Sequence, residues 1–236
     1  MKPESITYSI ERATNLRKFS FLFKLSKSIS SLYFDRVSNE GLRRIVASHC
    51  CPSLQIIKAQ VDDNALEAIR AICKACPNLR SLSLCNDHFE TKGDEIIQTL
   101  VQHCPFIETM SSSISEPWEL TDAGLDALAT IHNLKNLELY AYDCTSAAIQ
   151  RVLQSNPQLT FLHVYREAID DALVRCIGRC CGHLTSLQLS LDSSGPSFVS
   201  LNNACLIDLF RGCPLLEVFH LRHRRKDVQR RFESSV

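Results

Sequence analysis

One phrase, clearest in "CPNLRSLSL" (residues 76–84), returns along the chain as "CPSLQIIKA", "NPQLTFLHV", "CGHLTSLQL" and "CPLLEVFHL". Its first apolar residue serves as a marker: Leu54, Leu79, Ile107, Leu134, Leu159, Leu184 and Leu216, separated by 25, 28, 27, 25, 25 and 32 residues. Ile29–Leu32–Phe34 fits 25 residues before Leu54, and Leu16–Phe19–Phe21 suggests an edge unit only 13 residues earlier. Self-similarity at such a period restricts a chain to architectures of stacked, near-identical units. No one unit can bury its apolar face alone, whereas stacked neighbours share an elongated core.

A second marker recurs between the phrases. It is an apolar residue, a short polar capping residue, then Ala or Gly with Leu or Ile: "VSNEGL", "VDDNAL", "LTDAGL", "CTSAAI" and the shorter "IDDAL". Ser38, Asp62, Thr121, Thr145 and Asp170 stand where a side-chain oxygen can accept hydrogen bonds from the unpaired N–H groups of a starting helix. The residues that follow carry helical spacing, as in Leu125, Leu128, Ile131 and Leu173, Cys176, Ile177. Each unit therefore reads as strand, turn, helix and return, an α/β solenoid of about eight repeats over residues 1–221. The edge unit spans about 14–28, and 222–236 form a basic tail or capping helix. Within the phrase, the leucines point inward and the proline ends the preceding helix. The cysteine, three residues before the marker at Cys51, Cys76, Cys104, Cys181 and Cys213, is a small side chain in a tight return. Ile131 and Asn156 hold that place in two repeats.

Composition narrows the function classes. With 26 basic and 26 acidic residues the formal net charge is zero, which argues against a dedicated nucleic-acid or anionic-membrane binder. No apolar run approaches the ~20 residues of a membrane span, and the N-terminus lacks the apolar core of a secretory signal. The expectation is a cytoplasmic or nuclear protein. Its twelve cysteines then read as free, small hydrophobes of a reducing compartment, since the adjacent pairs Cys50–Cys51 and Cys180–Cys181 suit no useful disulfide.

The phrase "C-P-x-L-x-x-L-x-L" followed by "L-T-D-A-G-L" resembles the cysteine-containing leucine-rich repeat of F-box/LRR proteins and the related antagonist-of-mitotic-exit proteins. The resemblance covers about residues 14–221. It implies a right-handed arc with parallel strands lining a concave face and helices outside. It further implies capture of proteins on that face for ubiquitination by a cullin-RING (SCF-type) ligase. The sequence departs from the family pattern in one respect: no F-box motif with its opening Leu-Pro pair is recognisable. The expectations are therefore an F-box-less relative or a piece of a longer protein, acting as a single copy within a larger complex.

In L-x-x-L-x-L the residues flanking the last leucine face solvent. One column reads Tyr33, Lys58, Ser83, Ser111, Glu138, His163, Gln188 and His220; the next contains Tyr140, Tyr165, Ser190 and Arg222. Glu138, Tyr140, Tyr142, His163, Tyr165 and Arg166 fall on two adjacent strands and their exits. Tyr and Arg are over-represented at interface hot spots, so these six form the candidate binding surface for a protein partner, the alternative being an ordinary polar solenoid face.

Other features carry two readings each. Trp118 in "SSSISEPWEL" is an exposed anchor or a staple on a helix start. The insertion "LDSSGPSFVSLNN" is a functional or a plain surface loop. Cys73–Cys76 has C-x-x-C spacing but lacks a second ligand pair, so no metal and no cofactor are expected. No triad signature or glycine-rich phosphate cradle is present, and the chain is read as non-catalytic. The arginine-rich stretch of 222–231 is a nuclear-import signal or RNA contact, or else a solvated terminal helix over the last repeat.

Overall fold

The computed structural model describes residues 30–223 except 38, 48–50, 62–65, 86–92, 112–119, 167 and 192–200. The capping positions Ser38 and Asp62, the edge unit 14–28, Trp118, most of the insertion after Leu191 and the basic stretch beyond His223 lie outside the described residues.

Among the described residues eight strands and seven α-helices alternate. The strands are β1 (Ser31–Val37), β2 (Ile56–Val61), β3 (Ser81–Cys85), β4 (Thr109–Ser111), β5 (Asn136–Tyr140), β6 (Phe161–Arg166), β7 (Ser186–Leu191) and β8 (Val218–His223). The helices between them are α1 (Asn39–Val46), α2 (Leu66–Ala75), α3 (Gly93–His103), α4 (Asp122–Leu128), α5 (Ser146–Ser155), α6 (Asp171–Cys180) and α7 (Asn203–Gly212). All eight strands form one parallel sheet in sequence order, and each helix packs on its neighbours in sequence. Such an arrangement is compatible with a solenoid.

The register ties this architecture to the repeated phrase. Ile57, Leu82, Met110, Leu137, Leu162, Leu187 and Phe219 stand opposite one another across successive strands. These are the second apolar positions of successive phrases. The markers themselves sit two residues ahead of the strands, and all but Leu216 are fully buried. Because side chains alternate across a strand, Leu137, Leu139, Leu162, Val164, Leu187 and Leu189 join the helical stripe Ile149, Val152, Leu153, Leu173 and Ile177 in one core. The intervening residues line the other, open face.

Three hydrogen-bond ladders lock one unit to the next. In the first, Thr121, Thr145, Asp170 and Asn202 cap their helices, accepting from Ala123, Ala148, Leu173 and Ala204 N–H respectively. A carboxylate of the preceding unit grips two of those caps. Asp94 accepts from the Thr121 N–H and hydroxyl at 2.9 and 2.6 Å, and Asp122 does the same for Thr145 at 2.7 Å each. Those bonds hold the Asp122 carboxyl below the usual carboxylate range. Asp171 repeats half of this motif, accepting from the Asn202 N–H at 3.0 Å.

The second ladder explains the cysteines. Two of the thiols donate to main-chain carbonyls one unit back, Cys104 to Cys73 O and Cys213 to Cys181 O at 3.4 Å each, while Cys51 donates within its own unit, to Ile45 O at 3.1 Å. Burial pushes the Cys213 thiol up to about 11, so it stays protonated as a donor. The small-side-chain expectation therefore captured the size and missed the bond. Asn156 performs the same task with an amide, donating to Ile131 O (2.8 Å) and Val152 O (3.0 Å) while accepting from Leu134 N–H (3.0 Å). In the third ladder Asn78, Asn133 and Gln158 donate to Pro52, Pro105 and His132 carbonyls one unit back.

Candidate functional site

The candidate surface occupies the open face of β5 and β6. Parallel pairing places Glu138 opposite His163 and Tyr140 opposite Tyr165. Neighbouring strands lie about 4.8 Å apart, which brings paired rings into contact. Tyr140 and Tyr165 stack with centroids 4.0 Å apart and planes 7° from parallel, and His163 tilts against Tyr165 at 3.9 Å. Three of the six expected residues thus form one aromatic block.

Under this block runs a polar chain across four strands. The Ser111 hydroxyl donates to Glu138, whose other oxygen lies 3.6 Å from His163 Nδ1, and His163 Nε2 lies 3.0 Å from Ser190 Oγ. A carboxylate beside an imidazole ordinarily raises its pKa. Here burial, with Arg222 and His220 adding to it, lowers His163 to about 4, so the ring is neutral near pH 7. At 3.6 Å the Glu138 contact is therefore a polar approach and not an ion pair. His163 is only 7% exposed. Its role is that of a floor beneath the tyrosines.

Burial, and then the Tyr165 hydroxyl beside it, pushes Tyr140 well above the usual phenol range, with Glu138 and Tyr142 contributing. Both stacked tyrosines are half-buried, offering an apolar ring body with a polar tip. Tyr142 is half-buried in the turn after β5.

Arg166 turns to the chain itself. Its Nη1 donates to Ser146 Oγ at 2.7 Å and its Nη2 to Cys144 O at 2.8 Å, while buried Nε has no partner. Ser146 in turn donates to Asp170, the cap of α6. The guanidinium thereby ties the end of β6 to the starts of α5 and α6. Sequence reasoning put Arg166 beside the tyrosines, but Arg166 ends β6 paired with Leu191, on the alternation of Leu162 and Val164, and so turns away from the face of Tyr165. Ser111 and Ser190 were in the solvent columns, yet only the side-chain geometry joins them to the Glu138–His163 row.

Cys73 and Cys76 are both fully buried in the core. Cys176 and Cys180 sit with sulfurs 3.8 Å apart, and burial pushes Cys176 up to about 11. Among the described residues no group of three or more His, Cys, Asp or Glu is placed to hold a metal ion, and no helix is long and apolar enough to cross a membrane. The sequence matches no model of a known protein family and no curated protein.

Proposed function

We propose that the chain is a leucine-rich-repeat solenoid that recognises a protein partner through its open sheet face, taken as the concave side of a right-handed arc. The observation that carries this is the Tyr140–Tyr165 stack, held over His163 and Glu138 on adjacent parallel strands. Rigid, amphipathic rings supply contact area at low cost in side-chain entropy. Their positions are set by the sheet and not by a loop, and solenoids bind extended partners along such a surface. Arg166 acts in this reading as the brace behind the patch.

The partner relation most in keeping with the family resemblance is that of a substrate-binding arm of an F-box/LRR subunit, presenting a protein for ubiquitination. Affinity capture from a cell extract tests both levels. Replacing Tyr140 and Tyr165 together by Ala is expected to abolish capture while leaving the melting transition cooperative. Retained capture removes the open-face reading. Co-purification of a cullin-ligase adaptor with the unsubstituted chain supports the ubiquitin link. Tyrosine-dependent capture without the adaptor leaves a recognition scaffold with no ubiquitin role.

A further inference from the structure

The exposed charge on the described part of the open face is of one sign. On the helices and at the strand entries, arginines meet carboxylates: Arg70 with Glu67 and Glu95, Arg80 with Glu108, Arg151 with Asp126, Arg175 with Asp171 and Asp208. Arg222 differs. It is exposed at the end of the row Tyr140–Tyr165–Ser190–Arg222, and its guanidinium contacts His220 Nδ1 at 3.3 Å and, among the described residues, no carboxylate.

Among the described side chains of that face the exposed charges are Lys58 and Arg222, both cationic. The one described carboxylate, Glu138, has a side chain 15% exposed and is hydrogen-bonded to Ser111. The influence of Arg222 reaches two strands inward, since after burial it and His220 help to depress His163. A chain with no net charge therefore presents a locally cationic end to anything crossing its tyrosine patch.

We propose that the β6–β8 end of the open face receives an acidic stretch of the protein partner, with a carboxylate at the Arg222 guanidinium and an apolar neighbour across Tyr165. This rests on the open-face reading above and specifies the chemistry of its partner. Arg222 stands two strands from Tyr165, roughly 10 Å at the usual strand spacing. An extended segment crossing the strands covers that span in about three residues. The segment should accordingly carry an Asp or Glu about three positions from an aromatic or aliphatic residue. Arginine is suited to this task because its planar fork donates to both oxygens of a carboxylate.

A randomised peptide library selected against the immobilised full chain provides the test. The expected result is enrichment of sequences with Asp or Glu near an apolar residue, whose binding weakens with added salt. Their affinity should fall at least about tenfold in Arg222→Glu, where like charges oppose. Enrichment of neutral or basic sequences, or no enrichment, overturns the acidic assignment. Peptides that survive Arg222→Glu but are lost in the Tyr140→Ala, Tyr165→Ala double variant overturn the acidic assignment and keep the binding surface. Peptides indifferent to all three substitutions overturn both. Unchanged melting of Arg222→Glu, expected for an exposed side chain, excludes unfolding as the cause of any loss.

Discussion

Asn156 shows how a single side chain can hold a repeat that departs from its own consensus. Fully buried, it satisfies two carbonyls and one N–H that a cysteine or a tighter turn handles elsewhere. Asn156→Ala should destabilise the protein by about 2–5 kcal/mol in denaturant unfolding, because it strands buried polar groups and leaves a small void. Asn156→Cys, the residue of five other repeats, should recover part of that loss; no recovery would show that the two side chains do different work. His163 offers a second test through pH. Its folded pKa of about 4 lies below the unfolded value of about 6.5, so on acidification the unfolded chain takes up the proton first. Its contribution is thus complete above about pH 6.5 and is lost as pH falls toward 4. The drop in melting temperature across that window should be smaller in His163→Gln than in the unsubstituted chain. The sequence placed Glu138, His163 and both tyrosines on the right strands because alternation fixes faces. It could not show a neutral imidazole, since desolvation depends on what covers the ring.

Between elements, α6 and α7 meet backbone to backbone at two glycines. An added Cβ at Gly178 would meet Leu209 Cα at 2.9 Å, and one at Gly212 would meet Gly178 O at 1.8 Å. Both obstacles are backbone and cannot swing aside. Gly212→Ala should cost about 1–3 kcal/mol or more by forcing the helices apart, and a melting temperature equal to that of the unsubstituted chain would contradict this packing. The strands give a sharper comparison. Truncating Leu137, Leu162 or Leu187, all fully buried, to Ala should cost about 2–5 kcal/mol each. Replacing exposed Lys58 should change stability by no more than about 0.5 kcal/mol. These registers were readable from the repeated phrase, as were the caps Thr121, Thr145 and Asp170. Asn202 escaped notice because the insertion before it interrupts the spacing, and the carboxylate grip of Asp94 and Asp122 on the following caps joins residues more than twenty positions apart.

Across the whole molecule, a sheet that adds one strand per unit leaves its last layer without a neighbour among the described residues. Ile207, Phe210, Leu215, Val218 and Leu221 are each 38–52% exposed there, whereas Leu189, the equivalent of Leu221 one strand earlier, is fully buried. The same linear order means that each unit's stability depends chiefly on its two neighbours, so damage at β8 should leave the β5–β6 patch folded. That separation makes the recognition surface directly measurable. Hydroxyl-radical footprinting of the chain with a captured partner reads the aromatic side chains themselves. The account predicts that Tyr140 and Tyr165 lose reactivity on binding, while Phe106 and Phe210, exposed elsewhere at 48% and 49%, keep theirs. Protection of Phe106 or Phe210 with the two tyrosines unchanged would contradict it.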